Sequence, residues 1–356
     1  MKSEYVYLFL QPKEEYSFWT DRILEGIRQG VKETGGKLFV LDQNRVLPDL
    51  RDRNVLVAGS QIDWLQNTVS LLLEKEAHPI IVNACMLPFR SLRCSGVVFE
   101  LEEILESCLN GLKEKGKKRI ALLGVGRDSA ADRAKVDAFT RTAASFEKGD
   151  IIWAESNFDA LVESFLSSLP EEKYDAVICA NDTVAIQLLK AKKTSHIDII
   201  GIGNSYVGAF LGLTSICFNY FEMGKAAVSL YYTLSQKKSP CHMILSLPCY
   251  LENRDSAGIS LPRHLPPKLS PSPDDRFHHP KTQNILRVEA MLQNSDDIDR
   301  AILYGIARGE NTESIAAKLY FSDRAVRYRL TKLVNRYGFS GRLPLEEALK
   351  SAFFSQ

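Results

Sequence analysis

The sequence predicts an α/β chain, two lobes of parallel sheet flanked by helices, followed by a small all-α module at the C-terminus. Three observations carry that prediction. Over the first 260 residues, short apolar runs alternate in two successive series with segments whose apolar residues recur at helical spacing. A stretch dense in proline and polar residues, LPRHLPPKLSPSPDDRFHHPKTQ, then occupies 261–283 and has too little apolar content to pack a core. Beyond it helical periodicity returns, and Gly309 to Arg342 has the pattern of two short helices joined by a tight turn, the second rich in arginine.

The first series of strands is expected at Tyr5 to Leu10, Lys37 to Leu41, Asn54 to Ala58, Pro79 to Asn83 and Ser95 to Phe99. The second is expected at Arg119 to Gly124, Asp150 to Ala154, Asp175 to Ala180 and Ile197 to Ile202. Continuous apolar strands separated by helices mark βαβ units and buried parallel sheets. Crossover helices fit Trp19 to Val31 and Glu102 to Leu112. After the proline-rich stretch, Ile285, Leu286, Val288 and Leu292 restore a helical stripe.

Asn311 is a capping type, and Ile315, Ala316 and Leu319 follow at helical spacing. Ser322 caps the second helix, and Asp323 meets the positive end of its dipole. At about 100° per residue, Val326, Leu330, Leu333 and Tyr337 fall on a core side, whereas Arg324, Tyr328, Thr331 and Asn335 fall opposite. Arg327 and Lys332 flank that outer face at positions suited to phosphates, and Arg329 leans back toward the core rim as a backbone contact or a structural residue. From Lys318 to Arg342 there are seven basic residues against Asp323 alone. Such a local excess suits nucleic-acid binding although the whole chain carries only +1. Double-stranded DNA is the expected partner, read by Arg324, Arg327, Tyr328, Arg329, Thr331, Lys332 and Asn335.

Composition excludes several classes. With 356 residues, 45% hydrophobic and 25% charged, the chain is an ordinary globular protein of two or three domains. No run approaches the roughly 18 apolar residues of a membrane span. The N-terminus has an alternating strand where a signal peptide would need an apolar block, so a cytoplasmic location without a membrane partner is expected. The seven cysteines (85, 94, 108, 179, 217, 241 and 249) are scattered without a CxxC pair, which favours reduced buried thiols over disulfides or zinc. Gly124-Val125-Gly126 lacks the rest of a nucleotide loop and reads as a hinge turn. His278-His279 lies in the proline-rich stretch without other ligand types and reads as solvated loop. No catalytic constellation is evident, and no enzyme activity, cofactor or metal is expected.

Two resemblances sharpen this. The phrase Asp175-Ala176-Val177-Ile178-Cys179-Ala180-Asn181-Asp182 with Ala185, then Ile199-Ile200-Gly201-Ile202-Gly203-Asn204, resembles the effector domain of LacI-type repressors and type 1 periplasmic binding proteins. So do Leu213-Thr214-Ser215-Ile216 leading to Gly224, Ala226 and Ala227, and the closing Leu251-Glu252-Asn253-Arg254-Asp255-Ser256. The resemblance implies a two-lobed periplasmic-binding-protein type 1 fold over 1–260, hinged by three crossovers, with ligand held in the cleft at strand carboxyl ends. It places lobe 1 at about 1–110 and 218–240, and lobe 2 at about 111–217 and 241–260. The first strand begins at once, where LacI repressors carry DNA-binding helices. At the other end, Gly309, Ile315-Ala316, Leu319, Ser322, Val326, Gly338 and Arg342 are similar to the LuxR-type helix-turn-helix, implying a four-helix module over 284–356 whose third helix enters the major groove. Ile298-Asp299 stands where that family has Arg-Glu, and Ala325 where it has Thr.

Candidate ligand-binding residues follow from the first resemblance and from aromatic chemistry. Asp182 matches a family position that often bonds sugar hydroxyls, with helix capping as its other role. Asn204 stands where the family often has Asp. Arg133, with Lys135, precedes Ala138-Phe139 where the family has an Arg before a Gly-aromatic pair. Tyr16, Phe18 and Trp19 follow the first strand and are suited to stacking on a ring, Trp19 also fitting a helix core. The combined expectation is a transcription regulator that senses a small-molecule effector, sugar-like or another metabolite, and reads DNA as a homodimer. Ligand acts either by changing the spacing of two reading helices or by controlling dimerisation, and the 261–283 linker as a flexible tether transmits angles poorly. The alternative is a cytoplasmic binding or scaffold protein whose C-terminal module contacts protein.

Overall fold

The computed structural model describes residues 5–12, 18–42, 45–86, 94–155, 157–168, 173–191, 196–237, 241–259 and 280–354. Residues 260–279, which take in most of the proline-rich stretch and His278-His279, and the candidate Tyr16 lie outside the described residues.

In the first lobe run β1 (Tyr5–Leu10), α1 (Phe18–Thr34), β2 (Lys37–Leu41), β3 (Asn54–Ala58), α2 (Ile62–Glu74), β4 (His78–Val82) and β5 (Ser95–Phe99). The chain crosses over to α3 (Leu101–Glu114), β6 (Arg119–Val125), α4 (Ala130–Ala143), β7 (Lys148–Trp153), α5 (Phe158–Ser167), β8 (Ala176–Cys179), α6 (Asp182–Leu189), β9 (Asp198–Ile202), α7 (Tyr206–Phe210) and β10 (Thr214–Cys217). It then returns to the first lobe as α8 (Tyr220–Ser235) and β11 (Ile244–Leu247), and crosses a third time to β12 (Tyr250–Glu252). The two six-stranded sheets have the orders β11-β5-β4-β3-β1-β2 and β12-β10-β9-β8-β6-β7. All pairings are parallel except β10 with the closing strand β12.

The apolar pattern explains the sheet order. β3 (NVLVA) and β5 (SGVVF) are buried at every position and lie inside the first sheet, whereas β2 exposes Lys37, Phe39 and Val40 and lies at its edge. Helices start where capping residues stand: Ser129, Asn157, Asn181, Ser205 and Asn219 each accept the backbone N–H three residues on. At Asn181 this settles which residue caps α6, because Asp182 beside it is the first helical residue.

α1 and α8 cross on the outer face of the first sheet at a pair of glycines. A Cβ on Gly26 would stand 2.0 Å from Phe221 O, and one on Gly224 would stand 2.2 Å from Ile23 O. Backbone contact at that distance needs both residues to lack a side chain.

Three sequence expectations change. β11 pairs in parallel with β5, so 244–247 belongs to the first sheet, and the third crossover falls after Leu247 instead of near residue 240. Its exposed Ile244 and Leu245 obscure it as a strand in the sequence. The C-terminal helices begin at Pro280, four residues ahead of the expected 284, with proline tolerated in a first helical turn. They are α9 (Pro280–Gln293), α10 (Asp297–Ala307), α11 (Thr312–Leu319), α12 (Asp323–Arg336) and α13 (Arg342–Phe353). These helices also do not swing on a tether. Phe158, Val184, Val207 and Leu213 of the second lobe share one apolar cluster with Leu286, Met291, Leu303 and Phe353 of the module. Burial of a common core holds the two together whatever the connecting stretch does.

Candidate nucleic-acid interface and sensor cleft

α11 and α12 form the paired helices that the sequence predicts. Asn311 Oδ1 accepts Ser314 N–H at 2.8 Å to start α11, which ends on Tyr320 in a left-handed conformation, φ 58°. Ser322 Oγ accepts Ala325 N–H at 3.2 Å to start α12. Val326, Leu330, Leu333 and Val334 are buried against the other module helices. Arg324, Arg327, Tyr328, Thr331, Lys332, Asn335 and Arg336 are exposed, Tyr328 to 66%. Tyr337 is only half-buried at the end of the core side.

Two arginines are held in place. Arg327 Nε donates to Asp323 Oδ2 at 2.6 Å, one turn back along the helix. The Asp323 carboxyl lies below its ordinary range, chiefly through the neighbouring Thr312 hydroxyl and then through Arg327. Arg329 Nη1 bridges Asp296 Oδ2 at 2.9 Å and Asp299 Oδ1 at 2.7 Å, tying α12 to the start of α10. Arg329 is therefore engaged within the module, whereas the other arginines of α12 point outward. A groove of about 470 Å³ runs between these helices, lined by Asp296, Asp299, Tyr328, Arg329, Lys332 and Arg336 among others.

The module docks on the second lobe through polar bonds as well as apolar packing. Glu289, on the buried face of α9, accepts N–H groups from Tyr206 and Val207, each at 2.9 Å, and Gln293 Nε2 at 2.9 Å. Burial pushes its carboxyl up to about 7, against the lowering effect of those bonds, with the Asp182 charge adding to the rise. Thr282 Oγ1 donates to Asp159 Oδ1 at 2.9 Å, and Lys190 Nζ reaches Ser351 O at 2.6 Å. The Phe210 ring lies 4.9 Å from Tyr304 and 4.4 Å from Phe353, centroid to centroid. Sequence reasoning missed Glu289, though a signal exists: it occupies the stripe of Ile285, Val288 and Leu292, where a solvated acid does not belong.

At the cleft, the carboxyl ends of β1, β3 and β6 meet. Ile62 N–H donates to Asp128 O at 2.9 Å and Ala130 N–H to Ser60 O at 3.0 Å, around a bridge between Gln61 and Ser129. Gln11 Oε1 braces this clasp by accepting Ser60 N–H at 2.7 Å and Gln61 N–H at 3.1 Å. Behind it, buried Lys135 Nζ contacts Asp132 Oδ1 at 2.7 Å and Ala180 O at 2.8 Å.

The ligand candidates separate. Arg133 is exposed on α4 beside the clasp. Phe18 begins α1, and Trp19 is buried in the first-lobe core, which corrects its stacking role. Asp182 and Asn204 come together, but inside the lobe. Asp182, 3% exposed, accepts Ser205 N–H at 2.5 Å and Ser215 Oγ at 2.6 Å. Ser215 Oγ in turn accepts Asn204 N–H at 2.9 Å, and Arg254 Nη2 donates to Asn204 Oδ1 at 2.6 Å. Burial raises the Asp182 carboxyl, while the Ser215 and Ser205 bonds and Arg254 oppose the rise. Both side chains thus serve internal bonds, which corrects their assignment as sugar contacts. Cys108, Cys179, Cys217 and Cys249 are buried free thiols, and burial raises each. Among the described residues no helix is long and apolar enough to cross a membrane.

Two parallel-sheet lobes joined by three crossovers, with a cleft at the strand carboxyl ends, define the periplasmic-binding-protein-like fold. Residues 109–257 match the model of the periplasmic binding protein-like domain. Similar solved structures include the transcription regulator CcpA of Lactococcus lactis, at 15% identity and TM-score 0.57 over 72% of this chain and all (100%) of that one. The regulator CelR in complex with cellobiose has 18% identity and TM-score 0.57 over 72% of this chain and 85% of that one. A solute-binding protein of Burkholderia graminis C4D1M in complex with D-arabinose has 8% identity and TM-score 0.56 over 71% and 97%. No curated protein matches the sequence. At such identities the likeness is one of fold.

Proposed function

We propose that the chain is a DNA-binding transcription regulator, with a two-lobed domain over 1–260 that senses a small molecule and a helix-turn-helix module over about 280–356 that reads double-stranded DNA. The observation that carries this is α12: it buries Val326, Leu330 and Leu333 while turning Arg324, Arg327, Tyr328, Thr331, Lys332 and Asn335 to solvent. A capped helix with that division supplies cations for phosphates beside polar and aromatic groups for base edges. The regulators and the sugar-bound proteins among its structural neighbours support a sugar-like effector. Arg133 and the clasp at Gln61 and Ser129 are the cleft positions we assign to effector sensing.

Docking of the module on the second lobe supports a particular mechanism. The reading helix travels with that lobe, so closing or opening the cleft moves it relative to the first lobe. In a homodimer joined through the first lobes, the separation of the two reading helices follows. Half-sites about one helical turn apart tolerate little such change.

Selection of genomic fragments by the full-length protein, beside the Arg324→Ala/Arg327→Ala variant, tests the reading. A motif enriched by the first and lost by the second supports it. Absence of enrichment across salt concentrations and with sugar effectors present would sink it.

A further inference from the structure

The turn between α11 and α12 carries a residue that neither helix explains. Tyr320 is 98% exposed, and its backbone is left-handed, φ 58° and ψ 36°, a region that favours glycine. Phe321 beside it is 39% exposed. An aromatic ring there gains no burial, and its Cβ strains the backbone, so the fold alone would be better served by glycine at this position.

Its place relative to the reading helix suggests what the ring does. Tyr320 precedes the cap Ser322 by two residues and the first outward arginine, Arg324, by four. A reading helix enters the major groove with its N-terminal residues against base edges. The groove is only about 12 Å wide, so the residues just before that N-terminus lie at its lip, where the phosphodiester backbone runs. We propose that Tyr320 is a further DNA contact, its phenol O–H donating to a phosphate oxygen and its ring lying against the adjoining sugar. This rests on the reading of the module as a DNA binder. The contact is to backbone and carries no base information, so it raises affinity for every duplex alike. Because the phenol is neutral, it displaces no counterion.

Binding of a labelled mixed-sequence duplex, and of one enriched by the full-length protein, to wild type, Tyr320→Phe and Tyr320→Gly tests this. Tyr320→Phe is expected to weaken both duplexes to the same degree, about tenfold, as for loss of a hydrogen bond to a charged group, with an unchanged dependence on salt. Tyr320→Gly is expected to weaken them at least as much while raising the melting temperature by about 2–4 °C as the left-handed strain is relieved. The gain in stability separates loss of contact from loss of fold. Binding by both variants equal to wild type overturns the proposal and leaves the DNA reading intact. Failure of the wild type itself to bind either duplex overturns both.

Discussion

Glu289 and Tyr206 join the C-terminal module to the second lobe: the carboxylate of the first accepts the backbone N–H of the second at 2.9 Å, with Val207 N–H alongside at the same distance. Tyr206 opens α7, which follows the loop where Asn204 and Ser205 meet Asp182. The end of β9 and the C-terminal module are thus separated by the loop 203–205 and a pair of hydrogen bonds.

Burial of Glu289 makes docking depend on pH. Glu289 has a folded value of about 7 against an ordinary 4.5, so the fold binds its proton more tightly than the unfolded chain does. Its stabilising share is complete below about 4.5 and is lost as pH rises towards 7, up to about 3 kcal/mol across that window. Urea unfolding followed at steps from pH 5 to pH 8 should show this fall, flattened in Glu289→Gln. Equal slopes in the two proteins would refute the assignment.

Asp182→Asn should destabilise the second lobe by about 2 kcal/mol, since an amide cannot accept from both Ser205 N–H and Ser215 Oγ without turning a donor inward. Effector affinity of the folded fraction should stay within twofold. A large loss of affinity without loss of stability, measured by calorimetry against melting, would make Asp182 a ligand residue after all.

Along α12, Arg327→Ala should lower affinity for all sequences and reduce the salt slope by about 1. Tyr328→Ala and Thr331→Ala should shift preference among sites instead. Arg329→Ala should leave preference unaltered and cost the module about 1 kcal/mol through its half-exposed bonds to Asp296 and Asp299. Selection profiles at two salt concentrations, beside thermal melts, distinguish these outcomes. Uniform weakening by Tyr328→Ala would show that the reading face is misplaced.

Gly224→Ala should destabilise the first lobe by more than about 3 kcal/mol, because a Cβ 2.2 Å from Ile23 O forces α8 off α1. A melting temperature within a degree or two of wild type would contradict the close crossing.

Much of this was legible in the residues themselves. Strands such as Asn54–Ala58 and Ser95–Phe99 are short, mostly apolar runs, each with two valines, and their length and β-branched content mark a buried strand where periodicity alone cannot. The division of α12 into core and outer faces follows from helical geometry, and Ser322 and Asn311 announce their helices because capping is local chemistry. β11 was not legible: Ile244 and Leu245 are exposed, so its pairing with β5 leaves no burial pattern to read.

Elements that depend on neighbours within a few residues are written in the chain: two series of apolar strands, their caps, and a cationic helix after a tight turn. Folding then set what depends on approach between distant segments. It turned Asp182 and Asn204 inward onto Ser215 and Arg254, and it seated the module on the second lobe through Glu289. A polar residue near a strand end, such as Asp182 or Asn204, looks the same in sequence whether it faces a ligand or an internal partner, because that partner lies up to 50 residues away along the chain. Which of the two it meets is set by how the lobes pack.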